Sequence, residues 1–185
     1  LPNMTIVAPV DAQEILRLMD ATLSWPGPIY IRLAKGGDPI VSRPDVPFVI
    51  GKAIEMRAPG DIAIVSTGIM TNRALAVADL LQQQGIACGV LHAHTVKPLD
   101  EEAILQAGKD ARLVVTMEEH SIIGGLGSAV AELMADRSFH RPLLRLALGD
   151  RFPMGYGSQD HLLAEAGLSV PRMMERITAA FRART

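Results

Sequence analysis

A short β-branched run that ends in acids and passes directly into a glycine-started helix constrains this chain more than any other feature. Leu113, Val114, Val115 and Thr116 form the run, which fits a strand covered on both faces. Glu118, Glu119 and His120 follow it. Gly124, Gly125 and Gly127 then let the backbone turn tightly and let the next helix start close to a neighbour or an anion. Leu126, Ala129, Val130, Leu133 and Met134 recur at the spacing of one apolar helix face. A strand leading through ionisable groups into a helix is half of a βα unit.

The same alternation runs along most of the chain. Residues 5–8 read as a strand, and Asp11 and Glu14 stand at capping-box spacing for a helix through Met19 or beyond. A strand over 29–33 follows a loop that contains Pro26 and Pro28. This β-α-β piece cannot cover both faces of its strands by itself, so residues 1–37 read as the tail of a larger domain. Residues 38–60 carry Pro39, Pro44, Pro47 and Pro59 among scattered charges, the composition of an interdomain linker, with one short strand predicted at Phe48, Val49 and Ile50.

A second domain is predicted over 61–185. Strands are expected over 62–65, 88–91, 112–116 and 143–148. One helix runs along Ala74, Val77, Ala78 and Leu81 and stops at Gly85, and another opens at Pro98 with Asp100, Glu101 and Glu102 in its first turn. Closing helices are expected over 160–166 and 171–181. Strict strand–helix alternation at this spacing predicts an α/β fold, an open and mostly parallel sheet with helices on both faces.

Composition narrows the functional classes. The 185 residues are 49% apolar, enough to build a core, and the formal net charge of −2 gives no electrostatic reason to expect nucleic acid or an anionic membrane. No run of about 18 apolar residues suggests a membrane span, and no basic-then-apolar leader suggests a signal peptide. Cys88 is the single cysteine and sits in an apolar run, where an inert buried thiol is expected and a reducing cytoplasm is the default.

Several residues invite chemistry, and each has a plainer reading. Thr67, Gly68, Glu118, Glu119 and His120 all follow the carboxyl ends of parallel strands, the edge where open α/β folds place ligands. With no nucleophile or metal-ligand spacing nearby, mutual satisfaction of Glu118 and His120, or contact with a neighbouring domain, explains them more cheaply. The glycines at 124–127 lack the order of a dinucleotide or P-loop motif, so close helix packing is preferred to a phosphate cradle. His92 and His94 share one side of an extended segment, but no third metal ligand is visible and polar loop residues are the preferred reading. The Met173 and Met174 pair reads as gap-filling core. Arg32 and Lys35, beside Gly36 and Gly37 at a strand end, suit an anionic substrate group, with solvated surface charge as the alternative.

The segments "MTIVAPVDAQEI", "GPIYIRLAKGG", "IAIVSTGIMTNRALAVADLL", "HTVKPLDEEAI", "TMEEHSIIGGLGSAVAELM" and "LGDRFPMGYGSQDHLLAEAGL" resemble, in order and spacing, the C-terminal portion of transketolase-family thiamine-diphosphate enzymes. That family includes transketolases, 1-deoxy-D-xylulose-5-phosphate synthases and the β chains of 2-oxo-acid dehydrogenases. The resemblance implies that 1–37 is the end of a pyrimidine-binding domain, that 38–60 is a linker, and that 61–185 is a transketolase C-terminal domain. It implies a substrate-phosphate role for Arg32 and Lys35, Lys35 standing where members often carry arginine. It places Glu118, Glu119 and His120 near domain and dimer contacts, and implies a homodimer joined to an N-terminal part or companion subunit. The family needs a G-D-G…N motif for magnesium and the cofactor diphosphate; no such motif occurs here. Its essential glutamate belongs upstream of Leu1, so thiamine diphosphate and magnesium are expected only in the complete parent, and a truncated or processed chain is expected. The implied activity is transfer of a two-carbon ketol unit between sugar phosphates. The alternatives are 1-deoxy-D-xylulose-5-phosphate synthesis from pyruvate and glyceraldehyde 3-phosphate, or a non-catalytic dimerisation or docking module.

Overall fold

The structure is a computed structural model that describes residues 1–183. Near its start, strand β1 (Thr5–Val7), helix α1 (Ala12–Thr22) and strand β2 (Ile29–Ile31) form a parallel β-α-β piece. Asp11 caps α1, its carboxylate accepting the Glu14 N–H at 3.0 Å. A core of Val7, Leu18 and Ile50, with Trp25 and Phe48 against it, lies beneath.

The larger sheet follows in the predicted rhythm. Strand β3 (Ile54–Arg57), strand β4 (Ile62–Ser66), helix α2 (Met70–Gln83), strand β5 (Cys88–His92), strand β6 (Thr95–Lys97), helix α3 (Glu101–Gly108), strand β7 (Leu113–Ser121), helix α4 (Leu126–Asp136), strand β8 (Leu143–Leu148), helix α5 (Gln159–Glu165) and helix α6 (Val170–Arg182) complete the order. Five strands pair as β3-β5-β4-β7-β8, all parallel except β3, which runs antiparallel to β5 at one edge. One face buries Ile62, Ile64, Leu113 and Met117 beneath α2 and α6, and the other buries Val65 and Leu91 beneath α3 and α4. Each such Leu or Ile taken fully out of water stabilises the fold by about 1.5–3 kcal/mol. Gly85 ends α2 as predicted: at φ +75° it takes the left-handed conformation while the Ile86 N–H returns to the Leu81 carbonyl at 3.0 Å.

Three features depart from the sequence reading. The strand predicted at Phe48, Val49 and Ile50 is instead a bend, with the Lys52 N–H on the Val49 carbonyl at 2.9 Å and Gly51 at φ +87°. Phe48 and Ile50 turn into the small core, and the strand of this stretch is β3, which finds its partner in the open edge of β5. Strand β7 runs on to Ser121, so Glu118, Glu119 and His120 belong to it, with a register break between Met117 and Ser121 where it pairs with β8. Strand β6 was not predicted, because three residues carry too little alternation. It leaves the large sheet and joins β1 antiparallel, giving a three-stranded sheet in the order β2-β1-β6. The sheet of the β-α-β piece is therefore extended at one edge by chain that comes roughly 90 residues later.

Candidate functional site

The carboxyl edge of the large sheet carries the ionisable groups that the sequence singled out. Glu118 is 1% exposed and serves its own chain: its two oxygens accept the N–H groups of Leu126 and Gly127, each at 2.7 Å. The carboxylate thus satisfies two backbone donors that would otherwise be orphaned at the start of α4. Gly125 makes this contact possible, since a Cβ there would lie 2.0 Å from a Glu118 oxygen. Burial pushes the Glu118 carboxyl above its ordinary range, and the two N–H groups and the charges of His120 and Arg145 offset only part of that. The start of α4 is filled by this side chain, so the close-packing reading of the glycines holds against a phosphate cradle.

His120 is half-exposed, 3.9 Å from Glu118, and its Nδ1 lies 3.0 Å from the Ser121 carbonyl. Glu119 turns the other way. One of its oxygens lies 3.4 Å from both terminal nitrogens of Arg32, and the other accepts from the Gln159 amide at 2.9 Å. Arg32 and Glu119 are 87 residues apart in sequence, and the fold brings the two predicted groups together. Arg32 and Lys35, by contrast, are separated in role. Lys35 is exposed and has no hydrogen-bond or ion-pair partner among the described residues. It lines a cavity of about 490 Å³ with Gly36, Gly37, Asn72, Arg73 and Ser158. Gln159 lines the same cavity, together with Asp38 and Asp160, and links it through one hydrogen bond to Glu119.

Thr67 and Gly68 lie on this edge too, but the β1 region docks there. The Gly68 N–H donates to the Ala8 carbonyl at 3.1 Å, and the Ala8 N–H donates to the His94 carbonyl at 2.7 Å.

Behind this joint lies a buried polar chain that the sequence reading missed. Glu14 and His92 are both 0% exposed, and His92 Nε2 stands 2.9 Å from Glu14 Oε2, which also accepts the Val10 N–H at 2.6 Å. His92 Nδ1 lies 2.8 Å from the Thr71 hydroxyl, itself 2.9 Å from that of Ser66. Burial alone would raise the Glu14 carboxyl, but His92 and the Val10 N–H outweigh it and hold the acid below its ordinary range. His92 ends β5, so the polar-loop reading fails for it, whereas His94 lies in the short connection to β6 as that reading had it. Both are fully buried, with His94 stacked on Phe48 at a centroid distance of 4.0 Å. The available signal was Glu14 itself, an acid one turn before Leu18 on the inward face of α1. Among the described residues no group of three His, Cys, Asp or Glu side chains is placed to hold a metal ion. Cys88 is buried, and burial pushes its thiol up to about 12, the inert state expected for it. No helix among the described residues is long and apolar enough to cross a membrane.

Comparison with known proteins places these features in context. Residues 51–173 match the sequence profile of the family described as "Transketolase, C-terminal domain". A 1-deoxy-D-xylulose-5-phosphate synthase of Synechococcus sp. is 38% identical over 188 aligned residues, which cover 100% of this chain and 29% of that protein. A 6-deoxy-6-sulfo-D-fructose transketolase subunit of Clostridium sp. is 39% identical over 94% of this chain and 53% of its own length. A solved structure described as a split gene transketolase, inactive beta4 tetramer, superposes with a TM-score of 0.92 at 35% identity, covering 100% of this chain and 60% of that one. The chain spans between under a third and about half of the length of these two curated relatives.

Proposed function

This chain belongs to the transketolase C-terminal domain family, and from that premise we propose that it is the C-terminal part of a transketolase-like enzyme that transfers a two-carbon ketol unit between sugar phosphates, itself non-catalytic and serving assembly. One observation carries the proposal: Lys35 is exposed and, among the described residues, unpaired at a cavity that it lines, while the neighbouring strand-end acids are taken up by the chain's own groups. Glu118 caps α4 and Glu119 neutralises Arg32. In this reading Lys35 meets the substrate phosphate, and Arg32 positions the loop that carries it. Residues 1–37 are the end of a pyrimidine-binding domain, 38–60 link it, and 61–185 are the C-terminal domain.

The groups present here do not fit thiamine diphosphate. Glu14 has no exposed surface, its Oε2 taken by His92 and the Val10 N–H and its Oε1 enclosed in the fold, so it does not face an open site, and no carboxylate cluster for magnesium occurs among the described residues. A companion subunit or an N-terminal part of the same enzyme holds the cofactor and its metal in this proposal, in the cytoplasm. Phe152, Met154 and Tyr156, each more than 90% exposed, support an interface with such a partner or with a second copy in a homodimer. The identity to 1-deoxy-D-xylulose-5-phosphate synthases favours one second reading, part of a synthase that joins pyruvate to glyceraldehyde 3-phosphate.

The test is reconstitution with a cofactor-binding companion, followed by sedimentation of the mixture and turnover assays. Transfer from xylulose 5-phosphate supports the proposal, and turnover of pyruvate moves it to the synthase. A stable complex with neither activity overturns both in favour of a docking module. Within an active complex, Lys35→Ala is expected to raise KM for the phosphorylated substrate roughly 10-fold with a smaller fall in kcat, the pattern of a contact made equally in ground and transition states. Equal kinetics on phosphorylated and unphosphorylated substrates would remove Lys35 from the site.

A further inference from the structure

The segment between β2 and β3 is fastened at three buried polar anchors: Asp11 before α1, Thr95 on β6 and Asp100 before α3. The Asp11 carboxylate accepts the Val41 N–H at 2.8 Å, the Ser42 N–H at 2.7 Å and the Ser42 hydroxyl at 2.8 Å. Farther along, Phe48 stacks on the His94 ring, and the Gly51 N–H donates to the Thr95 hydroxyl at 3.0 Å. The Ala53 N–H then donates to Asp100 at 3.0 Å. Between the anchors, Phe48 and Ile50 close the core of Val7 and Leu18.

The middle anchor has a defined proton arrangement. Thr95 Oγ1 accepts from Gly51, so its own hydrogen is free to donate to His94 Nδ1, 3.0 Å away. The neutral ring then carries its proton on Nε2, which is buried without a hydrogen-bond partner. A second proton must enter at Nδ1, where it meets the donating hydroxyl and places a charge in a fully buried site. We infer that residues 40–53 form an acid-released strap, in which a proton on His94 unfastens Phe48 and Gly51 and uncovers the core beneath the three-stranded sheet.

The charged and titratable groups facing His94 are His92 from β5, Glu14 from α1, and Asp100 from the start of α3, the last paired with Lys52 at 3.8 Å. Burial and His92 lower the His94 pKa to about 4, against the opposing pull of Glu14 and Asp100. The sign follows. A histidine bound neutral in the closed form loses its stabilisation as pH falls from about 6.5 towards 4. Between pH 7 and pH 5 the open strap gains roughly 20-fold in population relative to the closed one. The strap is independent of the proposed activity.

Hydrogen exchange on the intact chain at pH 7 and pH 5, corrected for intrinsic rates, tests it. The amides of Val46, Gly51 and Lys52 are expected to lose protection roughly 20-fold at pH 5 while those of β4 keep theirs. His94→Phe retains a ring against Phe48 and should abolish the pH response. Unchanged protection of the strap, an equal response in the variant, or simultaneous loss in β4 each overturns the strap. Should His94→Phe fail to fold, the His94 ring resonance of the unaltered chain decides: a titration midpoint near 6.5 that leaves the strap amides unmoved also overturns it.

Discussion

Glu14→Ala is expected to destabilise the folded chain by about 2–6 kcal/mol, because two buried donors lose their acceptor at about 1–3 kcal/mol each. Truncation leaves His92 Nε2 and the Val10 N–H without an acceptor in a site with no exposed surface. It also cuts the tie between α1 and β5, residues 78 positions apart. Urea unfolding measures the loss as a lowered midpoint. Replacing both partners, as in Glu14→Leu with His92→Phe, should recover much of it, because the expense of a broken buried pair lies in the orphaned group. A single substitution that costs under about 1 kcal/mol would show that the pair is solvated. The pH dependence has a matching sign. Glu14 and Asp11 are held below their ordinary carboxyl ranges, Asp11 by N–H donors of Glu14, Ser42 and Val41 that outweigh its burial. Their contributions are present above the unfolded pKa values and are lost as pH falls through the folded ones. Acid should therefore act first through His94 and only below about pH 4 through these carboxylates.

Glu118→Ala is expected to cost about 2–6 kcal/mol, since two buried backbone donors lose their acceptor and each orphan costs about 1–3 kcal/mol. Glu118→Gln should recover only part of this, because one amide oxygen replaces two acceptors and the NH2 group faces an N–H. The raised pKa adds a second signature. A carboxyl that titrates higher in the fold than in the unfolded chain contributes most when protonated and loses that contribution as pH rises through the folded pKa. The difference in stability between the parent chain and Glu118→Gln should accordingly depend on pH between the unfolded and folded values of this group. A Glu118→Ala chain as stable as the parent, with α4 amides equally protected from exchange, would mean that water caps the helix.

Local signals in this chain were strong wherever one element's pattern settled its own state. The run at Leu113 to Thr116 and the 3.6-residue periodicity of α4 set a buried strand and an amphipathic helix, because burial of one face is decided by side chains a few positions apart. The stop at Gly85 and the cap at Asp11 were legible for the same reason. Repetition of these units along the chain left an open α/β sheet covered on both faces as the consistent arrangement. The resemblance pointed to the family that the comparisons then established.

Other features had no local signature. Whether Arg32 faces a substrate anion or a protein carboxylate depended on Glu119, 87 residues away, which only the folded chain brings within 3.4 Å. His92 and Glu14 each read as an ordinary polar residue until α1 and β5 were placed against each other. The predicted linker strand failed because Phe48 and Ile50 are used by a core that belongs to elements far away in sequence, and β3 and β6 exist because β5 and β1 left edges to be paired. Periodicity reports which face of an element is buried. The partner that face meets, and hence which charges are neutralised, depends on contacts between distant segments, and here that left Lys35 unpaired at the cavity and Glu118 closed within the fold.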